Sequence, residues 1–250
     1  SWVGPSMFLV GIVMVIISGL ILKRTKLFSG NPAPFVMELP AYKPPRPKGV
    51  LIHMWEKGKS FVIKAGTVIF AACAVLWFLQ SFSFSLQYLE PEQIDQSILA
   101  GIGKVIAPVF MPLGFGNWMS ATAAITGLIA KEVVVSTFAM LSAHTAVMFT
   151  PVTAYAFMVF VLLAAPCVAA IGAIRREMNS AKWTLFAIGY QCVFAYAVAL
   201  MITQFGRLFA GGGVQIGGLI AACAVLAVIV YMAFFKKQRE AGAPKLRANA

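Results

Sequence analysis

Acidic residues are scarce in this sequence. Eight Asp and Glu occur in 250 residues against 20 Lys and Arg, and charged residues of both signs make up only 11%. With 60% of the residues hydrophobic, a soluble domain of this length could not hide its apolar surface, so the chain reads as a polytopic membrane protein. The net charge of +12 invites a nucleic-acid reading. Most of the basic residues, however, sit in short stretches between apolar spans, which is the positive-inside pattern, so membrane lipid is the expected partner and nucleic acid is not. Histidine is nearly lacking: His53 and His144 are the two present, and neither lies inside a span. That argues against a zinc site or histidine-based catalysis. The four cysteines, Cys73, Cys167, Cys192 and Cys223, all fall within apolar spans and are poor disulfide candidates. No GxxxxGKS/T motif occurs, so nucleotide hydrolysis is not encoded in this stretch, and no enzyme activity is expected of it. The 12 methionines lack clustered spacing and read as gap-fillers. There is no initiator Met or signal-peptide pattern before the first span, which predicts a fragment or the C-terminal part of something larger.

What is present is an all-α pattern of about six or seven spans, with no internal repeat visible on inspection. Residues 1–26 form a first span, about Val3 to Leu22, with a basic stop. Residues 27–60 are a cytoplasmic Pro-rich linker followed, from about Gly49, by an interfacial helix with Trp55, Lys57 and Lys59 at headgroup level. Residues 61–235 form a transmembrane bundle, and residues 236–250 a cytoplasmic basic tail. Within the bundle, spans are expected at about 61–80, 117–141, 152–174, 183–205 and 214–235. The loop of residues 81–96 holds Glu90, Glu92 and Asp95 and no Lys or Arg, as an external loop should. The piece from Ser97 to Leu113 contains Gly101, Gly103, Lys104, Pro108 and Pro112 and is barely long enough to cross. It reads as a broken or re-entrant helix, with a plain kinked crossing as the alternative. This order puts the N-terminus outside and the C-terminus in the cytoplasm.

The chain is organised around residues 114–140, an apolar span carrying Lys131 and Glu132 near its middle. Ionisable groups inside a membrane span are costly, about 2.5–3.5 kcal/mol each on insertion scales, and point to a pathway or a site. Adjacent helical residues project about 100° apart, so these two cannot simply neutralise each other. Glu132, with the Ser136 hydroxyl one turn on, suits a cation ligand or proton carrier; Lys131 suits a balancing charge or a helix-end carbonyl. A structural pair that only fixes helix packing is the alternative. A second constellation is Pro166-Cys167, where Pro166 leaves the carbonyl of Leu162 without its helical partner. A freed carbonyl beside a thiol is the kind of unwound element that coordinates ions, and thiolate is a good ligand for a borderline divalent metal. Close helix packing and an ordinary buried cysteine are the alternative. Gln191 and Cys192, mid-span, either join this pathway or hold helices together.

Several stretches together resemble the bacterial ferrous-iron transporter B (FeoB) family. Phe35-Val36-Met37-Glu38-Leu39-Pro40 with Tyr42 and Pro44 is similar to its FMELPxYxxP segment, and WEKGKSFVIKAGTVI (Trp55 to Ile69) to the helix that follows. APVFMPLGFGNW (Ala107 to Trp118), AKEVVVST (Ala130 to Thr137) and APCVAAIGAIRRE (Ala165 to Glu177) then come in the family's order. The resemblance implies the second Gate region and C-terminal membrane segment of an Fe²⁺ permease of the bacterial cytoplasmic (inner) membrane. It implies Fe²⁺ as the transported ion, no permanently bound cofactor, and GTP only through a domain not in this chain. The expected partners are an N-terminal G domain and first Gate region, small cytoplasmic accessory proteins, and a homo-oligomeric copy. The family's Gate cysteine carries over onto Cys167, which with Glu132 forms the candidate metal path supported by Lys131, Ser136, Pro166 and Gln191. Glu38, Pro40 and Tyr42 mark a cytoplasmic motif. Two rivals stand beside this reading: a non-conducting membrane anchor or assembly module, and a nucleoside-type permease.

Overall fold

The computed structural model describes residues 2–25, 46–129, 131, 134, 149–211 and 216–232. They form α1 (Val3–Lys23), α2 (Pro47–Ser81), α3 (Ile98–Phe110), α4 (Trp118–Ile129), α5 (Pro151–Leu163), α6 (Val168–Met178), α7 (Ala181–Phe209) and α8 (Ile216–Val230), with 3₁₀ turns at Pro91–Gln96 and Met111–Leu113. Among the described residues there is no strand, only the isolated bridges Phe82–Tyr88 and Ser83–Ser97. The all-α membrane architecture therefore holds. The chain divides into two compact units, residues 47–222 and residues 1–46 with 223–250. In the smaller unit α1 is apolar on all sides, with Phe8, Leu9, Val15 and Ile16 exposed, as suits a helix facing lipid.

Among the described residues three helical stretches are long and apolar enough to cross a bilayer: Val3–Lys23, Pro151–Met178 and Ala181–Phe209. The pair Ile98–Leu113 and Trp118–Gly127 is bent by 97° and makes a fourth if taken together as one broken span. The expected interfacial helix and second span are one continuous helix, α2, of 35 residues. The span expected at 214–235 is represented by the 15 residues of α8. Most of the second half of the span expected at 117–141 lies outside the described residues, as does the Pro-rich linker from Lys26 to Pro45.

The break expected within 97–113 falls at the end of that piece. Ser97 caps α3 by accepting a hydrogen bond from the Ala100 amide at 3.0 Å, and the helix then runs through Gly101 and Gly103. These glycines are contact points and not breakers. A Cβ on Gly103 would collide with the Thr122 hydroxyl and lie 2.8 Å from the Trp118 carbonyl of α4; one on Gly101 would meet the ring of Phe84 at 2.5 Å. Ala100, Gly103 and Ala107 form one buried small face, which lets the two backbones approach closely. Lys104 snorkels off this pair, donating to the Asp95 carbonyl at 2.8 Å with its ammonium 5.9 Å from the Trp118 ring centroid. Pro108 is carried inside the helix; the α-helix gives way to a 3₁₀ turn at Pro112, which has no N–H to donate, and Gly114, at φ +80°, turns the chain in the left-handed region open to glycine.

The core sits around this corner. Phe115 is fully buried and packs edge-on to Phe157 at 5.2 Å and stacked with Phe110 at 5.7 Å, which in turn meets Phe160 at 5.4 Å. The carbonyls at the corner are claimed by one face of α7. Tyr196 Oη donates to the Val109 carbonyl at 2.8 Å, Thr203 Oγ1 to that of Leu113 at 2.9 Å and Gln204 Nε2 to that of Pro112 at 2.8 Å. Positions 196, 203 and 204 are spaced seven and eight apart and so share a helix face. Thr203→Val removes only the hydroxyl and leaves the buried Leu113 carbonyl without its donor. It is expected to cost about 1–3 kcal/mol, read as a lower thermal midpoint of the detergent-solubilised transporter; an unchanged midpoint would mean that the bond adds nothing.

Candidate functional site

The second proline-marked break lies inside a crossing. α5 starts cleanly, with Pro151 at its first position and a reciprocal capping box between Thr150 and Thr153. It stops because Pro166 has no N–H and biases Ala165 towards extended backbone. Ala164 and Cys167 are extended, at ψ 164° and 160°, and α6 then resumes the crossing until Asn179 turns it at φ 46°. The thiol of Cys167 makes no capping hydrogen bond to α6; Cys167 and Pro166 are half-buried and Ala165 is buried.

Lys131 reaches this break from the α4 side of the chain. Its Nζ donates to the Leu162 carbonyl at 3.2 Å, the carbonyl four residues before Pro166, and the ammonium lies within electrostatic reach of Cys167. The described contact is with a carbonyl in the last turn of α5; Glu132, the partner in the balancing-charge role, lies outside the described residues. Gln191 lies on α7. Cys167 lies 12 residues before Asn179 and Gln191 12 residues after it. The two-residue connection makes α6 and α7 an antiparallel pair, so both stand about 18 Å from the turn, at one depth. The Gln191 Oε1 is buried and has no hydrogen-bond partner among the described residues. The break therefore brings together an uncapped thiol and a carbonyl freed by proline and held by an ammonium, while Gln191 stands at a similar distance along its own helix from the turn.

Glu132, Ser136, Glu38, Pro40 and Tyr42 lie outside the described residues, so their side chains are not part of this geometry. All four cysteines are free thiols; Cys73 and Cys223 are exposed, Cys192 half-buried. Among the described residues no three His, Cys, Asp or Glu side chains converge as a metal cluster. The donors that close the other break, Tyr196, Thr203 and Gln204, were not singled out by sequence reasoning. Their signal was a polar stripe at 196, 203, 204 and 207 along an apolar helix, legible only once a partner for it was known.

Comparison with known proteins gives two matches that follow each other along the chain. Residues 5–57 match the family described as Ferrous iron transport protein B C terminus, and residues 62–181 match the Gate family, described as Nucleoside recognition. The Fe(2+) transporter FeoB of Staphylococcus aureus (strain COL) is 39% identical over 221 residues, covering 84% of this chain and 32% of the relative. That of Methanocaldococcus jannaschii is 38% identical over 217 residues, 81% of this chain and 32% of the relative. A Fe(2+) transport protein A/Fe(2+) transporter FeoB fusion protein of Porphyromonas gingivalis is 31% identical over 260 residues, 81% of this chain and 30% of the relative. No solved structure matches. The chain spans about a third of the length of the curated relatives it matches. In its domain matches and its relatives alike, the chain belongs to the FeoB family and corresponds to its C-terminal membrane region.

Proposed function

We propose that this chain is the membrane permease part of a ferrous-iron uptake transporter, and that Fe²⁺ crosses at the break between α5 and α6. The observation that carries the reading is an apolar crossing, Pro151–Met178, interrupted midway at Cys167 by extended backbone. Irregular backbone at membrane depth is tolerated only where it is buried in protein or lines a water-filled cavity. The chemistry suits the ion: a thiolate favours a borderline divalent metal over Mg²⁺ or Ca²⁺, while a freed carbonyl and an amide oxygen replace waters lost on entry. Cys167 and Glu132 line the route; Lys131, Ser136, Pro166 and Gln191 support it. The site binds Fe²⁺ in passing and not as a resident centre. GTP acts through a G domain outside this chain, and the protein region here is not itself an enzyme.

The region lies in the bacterial cytoplasmic membrane with its N-terminus outside and its C-terminus inside, the side favoured by Lys236, Lys237 and Arg239. The fusion of Fe(2+) transport protein A to one relative supports a small accessory protein as partner. Radioiron uptake by cells producing the full-length transporter tests the reading. Glu132→Ala and Gln191→Leu are each expected to lower initial uptake about threefold with an unchanged amount of protein in the membrane, since loss of a ligand worth ~0.7 kcal/mol has that effect. Normal uptake in both would return the region to an anchor or assembly role. Inhibition by a nucleoside would favour a nucleoside-type permease, in line with the Gate family's description, Nucleoside recognition.

A further inference from the structure

We propose that Lys131 is a tethered stand-in for the transported cation: in the ion-free state its ammonium occupies the electronegative position at the α5–α6 break, and Fe²⁺ and the ammonium exclude one another there. The proposal rests on the reading that Fe²⁺ passes at Cys167, and it adds a competitor built into the chain.

The partners of Lys131 point to this role. Among the described residues no carboxylate forms an ion pair with it; the one ion pair seen there joins His53 and Glu56, at 3.8 Å on the exposed face of α2. Its partner is instead the Leu162 carbonyl at 3.2 Å, with the Cys167 thiol within electrostatic reach. A carbonyl at the C-terminal end of α5 stands at the negative end of that helix's dipole. Carbonyl oxygen, thiol and helix end are what a metal cation would use, and an ammonium is the side-chain group that mimics a cation at such a position. The Gln191 Oε1, unpartnered among the described residues and at a similar distance from the α6–α7 turn, is an acceptor left over once the lysine has taken its carbonyl.

The geometry at the other break makes the contrast. There the carbonyls of Val109, Pro112 and Leu113 are closed by neutral donors, a phenol, an amide and a hydroxyl. A neutral donor satisfies a carbonyl at far lower desolvation cost than an ammonium in a membrane. A charge used where an amide would serve implies that the charge itself has a task.

The experiment uses the full-length transporter in lipid nanodiscs, with every cysteine other than Cys167, among them Cys73, Cys192 and Cys223, replaced by serine. The rate of Cys167 alkylation by a maleimide is followed against anaerobic Fe²⁺. Wild-type protein gives a half-protection concentration. Lys131→Met and Lys131→Gln are expected to lower it at least threefold, because the competing ammonium is gone; Lys131→Arg, which keeps the charge, is expected to leave it unchanged or raise it. If Lys131 merely caps the helix end, Lys131→Met raises the value or leaves it unchanged and Lys131→Gln restores it, and the proposal is overturned. Should Lys131→Met not fold, Lys131→Gln carries the same test alone. Absence of Fe²⁺ protection in the wild type would instead overturn the ion-path reading, so the two failures are distinguishable.

Discussion

Cys167→Ala in the full-length transporter is expected to lower initial radioiron uptake about tenfold at subsaturating Fe²⁺, the effect of losing about 1.4 kcal/mol of ligand binding. The loss should appear mainly as a raised KM, because the thiol meets the ion in passing and the rest of the crossing is untouched. Fold and insertion should survive. Cys167 is half-buried in an extended segment, and removing one sulfur there opens no large cavity. Cys73→Ser and Cys223→Ser are the internal controls, since both side chains are exposed on apolar helices and neither is near the break in sequence. Uptake at wild-type KM in Cys167→Ala, with full membrane levels, would remove the thiol from the route.

Gly103→Leu is expected to destabilise the folded transporter strongly. The side chain would project from α3 into the Thr122 hydroxyl and the Trp118 carbonyl of α4, and the carbonyl belongs to backbone that cannot step aside. Overpacking in a tight interior costs about 1–3 kcal/mol and occasionally more, and a four-carbon insertion against backbone belongs at or beyond the top of that range. Set against a total stability of about 5–15 kcal/mol, the loss should lower the thermal midpoint and reduce the yield of monodisperse protein after detergent extraction. Gly103→Ala is the graded companion, because its single methyl already meets the same two atoms. A normal yield of Gly103→Leu would show that α3 and α4 separate without consequence, which their buried small face argues against.

How much of this was legible in the chain depends on the distance over which each cause acts. The helical membrane class follows from composition, and the two breaks from Pro112 and Pro166, because a missing N–H is a local fact. That Leu162 would be left needing a donor follows from the i to i−4 rule alone. The adjacency of Lys131 and Glu132 in turn leaves the lysine free to serve as that donor. Gly101 and Gly103 show the limit: glycine in a helix reads equally as a breaker or as a close contact, and only the positions of Phe84 and of Thr122 on α4 decide between them. Likewise Tyr196, Thr203 and Gln204 find carbonyls 87 to 92 residues away, and no local pattern names such partners. The fusion of the interfacial helix with the span after it was also not readable, since Lys57 and Lys59 mark a membrane boundary without marking a helix end.

The length of α2 has a mechanical corollary. Its 35 residues make a rod of about 52 Å at 1.5 Å per residue, against a hydrocarbon thickness of about 30 Å. The first roughly 20 Å of this stiff helix, bearing Lys48, Lys57 and Lys59, is a charged lever arm continuous with the apolar stretch Ile69–Ser81. A 10° tilt about its midpoint would swing the Pro47 end by about 4–5 Å. A push applied in water thus arrives among the membrane-embedded helices as a rigid displacement and is not absorbed by a joint.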